Sequence, residues 1–404
     1  MAPPKTEDSE LVYRSTTEIE SIKQQHNKPN TTEKIERNYI PTNLTIKEIR
    51  QAIPPHCFKR STLRSLSYLL KDLSIIGILV YGATFIDSLL PRVLQLIAWP
   101  TYWFFAGAYA TGVWVLAHEC GHRSFSPSRT INNIVGFILH SALLVPFHSW
   151  RITHSQHHKN TANVHKDQVF VPKTRSQRGL PPRKDDNDDD DHIFQDAPIY
   201  TLLNLIGQQL AGWPLYLTTN ASSRAYPNSE TKWINHYNPS APMFNPNQYT
   251  DVVVSDIGII IAISALAYLS FTFSFLTVVK FYFIPYLIVN HWLVMITYLQ
   301  HTDPKVPFYR DGQWDFVRGA ASTVDRHFGF LDNIFHQITS THVAHHYFSE
   351  MPFYHAEEAT KHLAKVLGKY YLSDDTPIFK ALWRAHNTCK FIEDDGEIVF
   401  YKYK

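Results

Sequence analysis

The chain has 404 residues, 38 lysines and arginines against 36 acids, and a net charge of +2. That balance gives no electrostatic footprint for nucleic acid, and none is expected as a partner. Three cysteines, Cys57, Cys120 and Cys389, lie far apart and odd in number, which argues against a disulfide framework and for a reducing environment. The mean hydropathy of −0.22 averages polar ends with very apolar middle stretches.

Residues 1–46 are polar, with mixed charge and several prolines and asparagines, and read as a disordered tail. No basic start followed by an apolar run marks a signal peptide. Apolar runs then begin. Residues 73–90 carry one acid, Asp87, and residues 93–117 carry no formal charge. Residues 252–275 carry only Asp256, and residues 281–300 follow after a short link containing Lys280. About 20 mostly apolar residues cross a bilayer as a helix, so these predict four spans in two hairpins. Residues 131–147 and 197–219 are interrupted by polar groups and proline, and read as interfacial helices. Lys59, Arg60, Arg64, Arg123, Arg129, Arg151, Lys159, Lys166, Lys173 and Arg175 all lie on the side to which each hairpin returns, which makes that side cytosolic. Residues 181–196 form an Asp-rich insert, with six acids in the seven positions 185–191, and read as solvated and disordered. The expected fold is an all-α membrane protein: four transmembrane helices, interfacial helices and a cytosolic histidine-rich cap.

Among 22 histidines, eight fall in three clusters. The first, His118-Glu119-Cys120-Gly121-His122, has the H-E-x-x-H form of zinc proteases. The second and third are both H-x-x-H-H: His154, His157 and His158, then His342, His345 and His346. On a helix, positions i, i+3 and i+4 share a face, so each cluster aims three imidazoles at one place. Lone histidines such as His56, His192, His236, His362 and His386 read instead as hydrogen-bonding residues. Eight clustered imidazoles exceed a catalytic zinc site, which takes three protein ligands and a water. They suit two metals. An intramembrane zinc protease also needs an acidic third ligand; Leu331-Asp332 is followed by Asn333, and the other two clusters would go unexplained. A membrane metal-transport protein would need polar residues inside the spans, and these are few. Glu119, Asp167 and Asp325 are candidates to support or balance the imidazole ligands.

Three boxes in this order, with two apolar hairpins around them, resemble the membrane fatty acid desaturase family. The likeness includes "AIPPHCFKRS" (52–61), "LLVPFHSWRITHSQHH" (143–158), "DQVFVPK" (167–173), "GWPLYL" (212–217), "ITYLQHTDP" (296–304) and "HVAHHYFSEMPFYHAEEATK" (342–361). These stretches are most similar to microsomal delta-12 oleate desaturases of plants and fungi, over a domain of residues 47–402. The resemblance implies two non-haem Fe ions, O2 as co-substrate, and electrons from cytochrome b5 and its NADH-dependent reductase. It implies an acyl-lipid substrate, phosphatidylcholine-bound oleate, and a multi-pass protein of the endoplasmic reticulum with its active site and N-terminus cytosolic. It also implies a ninth histidine ligand after the last span; His301 is the choice and His336 the competitor. The first residue of the third box is His342 rather than Gln, and no H-P-G-G haem motif is present, which points away from front-end desaturases. Asp303 stands where plant oleate desaturases tend to have another histidine. The same ligand set would equally serve an omega-3 or bifunctional delta-12/omega-3 desaturase, or a fatty acid hydroxylase.

Overall fold

The computed structural model describes residues 39–182 and 198–403. The chain divides into two units, Met1–Pro41 and Thr42–Lys404, and all that follows concerns the second. Most of the polar tail and nearly all of the Asp-rich insert lie outside the described residues.

Helix α1, Ile46–Ala52, begins with a capping box: Thr45 Oγ1 accepts from the Glu48 N–H, and Glu48 accepts from the Thr45 N–H at 2.7 Å. A 3₁₀ turn at Pro55–Phe58 leads to α2, Thr62–Ala83, capped by Ser61. Helix α3, Arg92–Gly121, is 30 residues long. At 1.5 Å per residue it extends for about 45 Å. Helices α4, Arg129–Ala142, and α5, Phe147–Asn160, follow with a bend of 107° between them. Helix α6 is Pro198–Thr219 and α7 is Tyr249–Phe273. The helix breaks at Ser274, with φ +94°, whose hydroxyl caps the next helical stretch. That stretch, Phe275–His301, passes through a π-turn at Val279–Phe283 into α8, Ile284–His301. Beyond it come the short α9, His342–Tyr347, then α10, Ala356–Leu367, and α11, Ile378–Thr388. Strand β1, Pro307–Tyr309, pairs antiparallel with β2, Ile398–Phe400.

Among the described residues, three helical stretches are long and apolar enough to cross a membrane: Thr62–Leu89, Pro246–Phe273 and Phe275–His301. The bent pair α4–α5 makes a fourth if counted as one broken span. The expected span at 93–117 lies within α3 but is not among them. Its physical reason is composition: Trp99, Tyr102, Trp103, Tyr109 and Trp114 are amphipathic rings, and Pro100, Gly107 and Gly112 add little apolarity. Helix α3 forms the centre of the bundle, packed on α2, α4 and α8. The outer faces of α2 and α7 are apolar and exposed; Phe271 is 92 % exposed. Such surface is costly in water and suited to lipid.

The main core joins Trp114 and Val115 of α3, Trp213 and Leu217 of α6, Trp292 and Met295 of α8, and Leu382 of α11. One close approach fixes the α4–α5 corner. Gly136 packs on the ring of the fully buried Phe147, and a Cβ there would sit well inside van der Waals contact with it and 2.9 Å from Cys120 Cβ. Overpacking of this kind costs about 1–3 kcal/mol. Gly136→Ala is therefore expected to lower the thermal midpoint of the detergent-solubilised protein, and an unchanged midpoint would show that the corner can yield.

Candidate metal centre

Each histidine cluster sits where an element ends or turns. His118 lies in the last turn of α3, and His122 caps it, its N–H bonded to the His118 carbonyl at 3.2 Å. The second cluster occupies the last two turns of α5. His301 is the last residue of α8. The third cluster is most of α9. All but the half-buried His154 are buried.

These nine imidazoles form two adjoining groups. One ligand atom from each of His118, His122, His154, His158 and His345 lies within 4.8 Å of all the others, and the same holds for His157, His301 and His346. His342 joins the second group, its Nε2 3.0 Å from His301 Nε2, which is itself 3.3 Å from His157 Nε2. The groups meet where the His158 and His346 rings stack at 4.1 Å. His336, the competitor, is elsewhere: its Nε2 pairs with Asp72 Oδ2 at 2.6 Å, and both are buried.

The donor set fits a pair of cations. Burial, reinforced by neighbouring imidazoles, holds His342, His345 and His346 well below the usual histidine range. They are neutral at neutral pH, which is the ligating form. His122 Nε2, His345 Nε2 and His346 Nε2 are buried with no hydrogen-bond partner among the described residues. Each such atom costs about 1–3 kcal/mol unless something satisfies it. Metal–nitrogen bonds of about 2.1 Å place neighbouring donors about 3.0–3.4 Å apart, the spacing seen within the second group. Imidazole accepts Fe, Zn, Cu or Ni, so the donors alone do not choose the metal.

The supporting carboxylates divide. Asp167 Oδ1 accepts from His157 Nδ1 at 2.7 Å and is itself held by the N–H groups of Ala162 and Val169. Glu119 Oε1 faces His118 Nδ1 at 3.2 Å, while Ser124 donates to Oε2 at 2.6 Å. Both oxygens are thus occupied and the side chain is 1 % exposed, which is unlike a protease base facing a water. Asp332 accepts from the Phe328 N–H and the Thr339 hydroxyl and joins neither imidazole group. Asp325 hydrogen-bonds to no imidazole among the described residues. It accepts from the Val343 N–H at 2.8 Å and the Tyr371 hydroxyl at 2.7 Å, anchoring the start of α9. Burial raises its carboxyl to about 7, so it is only partly ionised at neutral pH. Sequence reasoning missed Thr161, whose Oγ1 lies 3.0 Å from His346 Nδ1 while donating to the His157 carbonyl at 2.8 Å. Its place directly after α5 was the available signal.

Asp303 belongs to a closed ring of charge behind His301. Arg326, 1 % exposed, pairs with Asp303 at 2.8 Å and with Asp374, and Arg384 pairs with the same two carboxylates, at 3.0 Å to Asp303. Arg326 also donates to the Leu299 carbonyl at 2.8 Å, in the last turn of α8. The ring therefore locks the end of that helix to α11.

Comparison with known proteins agrees with this architecture. The fatty acid desaturase family model matches residues 97–377. The chain is 52 % identical to a Delta(12) fatty acid desaturase of Mortierella isabellina over the whole of both chains. It is 44 % identical to a protein of Brassica juncea named as an omega-6 fatty acid desaturase of the endoplasmic reticulum, over 87 % of this chain and 88 % of that one. It is also 41 % identical to an oleate hydroxylase of Claviceps purpurea, over 90 % of this chain and 82 % of that one. With its histidine boxes gathered at one centre and the family pattern covering more than half its length, the chain belongs to the fatty acid desaturase family.

Proposed function

We propose that this protein is a delta-12 acyl-lipid desaturase, converting oleoyl to linoleoyl chains at a centre of two non-haem irons. The observation that carries this is the pair of adjoining groups of buried imidazoles, supported by the relatives named for that reaction. An unactivated methylene pair has no acidic proton for a side chain to remove, so a cofactor must supply the oxidising power. The overall change takes two hydrogens from the acyl chain, and with O2, two electrons and two protons it yields the double bond and two waters. His118, His122, His154, His158 and His345 hold one iron, and His157, His301, His342 and His346 the other.

The chain's own residues set the geometry. Asp167, Glu119 and Thr161 fix ring orientation at His157, His118 and His346, so the ligands are ordered before metal arrives. Regioselectivity follows from holding one pair of acyl carbons beside the centre. The two hairpins, Thr62–Leu89 with α3 and Pro246–Phe273 with Phe275–His301, cross the membrane four times in this reading, which places all three boxes on one side. The basic residues flanking those boxes make that side cytosolic. There cytochrome b5 is the electron donor, with the protein in the endoplasmic reticulum and phosphatidylcholine-bound oleate as substrate.

A second reading has a specific support: the hydroxylase relative aligns across most of the chain. Expression in a yeast that makes oleate but no polyunsaturated lipid separates the two. Linoleate is expected from the wild type and none from His345→Ala. A hydroxy acid from oleate, or a triene from supplied linoleate only, would replace delta-12 desaturation by the corresponding reaction.

A further inference from the structure

A second cluster of metal-ligating side chains lies apart from the nine histidines. We propose that His56, Cys57, His355 and Glu358 form a mononuclear Zn2+ site that fastens the chain segment preceding α2 to the segment following the third histidine box. One donor atom from each of the four lies within 4.8 Å of the others. His56 and Cys57 come from the 3₁₀ turn Pro55–Phe58. His355 ends the 3₁₀ turn Phe353–His355, and Glu358 lies in the first turn of α10.

The distances are near those of a four-coordinate ion. Zinc bonds of about 2.0 Å to nitrogen or oxygen and 2.3 Å to sulfur set tetrahedral donors roughly 3.3–3.6 Å apart. Cys57 Sγ is 3.7 Å from His56 Nε2, and His56 Nε2 is 2.9 Å from Glu358 Oε2. The His56 and His355 rings meet edge-on, 5.7 Å apart at 75°. Small shifts of side chains bring all four donors around one point. Charge closes as well: a thiolate and a carboxylate balance one divalent ion, and two neutral imidazoles complete the shell. A sulfur, two nitrogens and an oxygen are a donor set for zinc rather than for magnesium or calcium.

The site also has a way in. Cys57 is fully buried and forms its floor, whereas the side chains of His56 and Glu358 are about half exposed at its rim. Without a metal, His56 and Glu358 make a solvent-exposed hydrogen bond. Cys57 packs in the same apolar cluster as Val343, Ala344 and Tyr347 of α9. An ion bound here would stiffen the outer wall of the third box without touching its imidazoles, and the zinc count that tests it rests on the iron proposed for those imidazoles.

Metal analysis and zinc-edge X-ray absorption on the purified full-length protein in detergent test the proposal. One zinc per chain is expected, with one sulfur neighbour at about 2.3 Å. Cys57→Ser should abolish the sulfur signal, and Glu358→Gln with His355→Gln should weaken zinc retention at least tenfold, with the metal content of the nine-histidine centre unchanged. Because Cys57 is buried, the double variant, at a partly exposed histidine and a half-exposed glutamate, keeps the test valid if Cys57→Ser fails to fold. Added Co2+ should give a thiolate charge-transfer band in the zinc-stripped wild type and none in the double variant. Absence of zinc together with absence of the cobalt band overturns the proposal. So does zinc with only nitrogen and oxygen neighbours that persists in the double variant, since that ion would sit among the nine histidines.

Discussion

In the proposed two-iron centre, His301→Ala is expected to remove one iron per chain and all measurable linoleate, while His336→Gln keeps both. The two residues competed for one role, and their surroundings differ. His301 Nε2 lies within 3.3 Å of two other imidazole nitrogens, so its loss leaves the second group with three donors. His336 instead faces Asp72, a carboxylate with no exposure, and glutamine there preserves a donor to it. Iron per chain in the purified variants, measured beside lipid composition, decides the matter. Two irons in the His301 variant with one in the His336 variant would reverse the assignment.

Asp303→Asn is expected to lower stability by roughly 3 kcal/mol, near the lower end of what breaking a buried ion pair costs. It leaves two guanidinium groups facing one carboxylate, Asp374. Arg384 is about a third exposed, so water screens its share; Arg326 is enclosed and bears most of the penalty. Because Arg326 also holds the Leu299 carbonyl, the end of α8 should loosen and release metal faster. A lowered thermal midpoint that persists in high salt is the expected reading, since buried pairs are little screened. A midpoint equal to that of the wild type would mean that the ring adds nothing net.

The contrast between those residues marks what the sequence makes legible. The three boxes were readable because their spacing is local: each places its rings on one or two helical turns. Asp167 was readable as a nearby acid, and it does meet His157. Asp325 looked equivalent, yet its carboxylate turns to a backbone N–H, a choice made by the loop conformation rather than by composition. Asp303 stood out only as a missing histidine; its partners Arg326, Asp374 and Arg384 are scattered through the last third of the chain. His56 was read as a lone histidine because Glu358, its partner, is 302 positions away. The apolar segments announced themselves by length and lack of charge, α3 among them, whereas the packing of its aromatic rings and glycines at the centre of the bundle did not show. Local periodicity is visible in a sequence, and long-range pairing of single side chains is not.

The two imidazole groups draw on α3, α5, α8 and α9, and neither is complete until His345 and His346 have been made. His118 and His346 are 228 positions apart. At about 5–20 residues per second, the first imidazoles wait roughly 10–45 seconds on the ribosome for the last. For most of that interval His118, His122, His154, His157 and His158 are all present on a nascent chain with no closed site. A free divalent ion could seize such a half-built set, so the order of synthesis makes faithful metal delivery a matter of timing as much as of affinity.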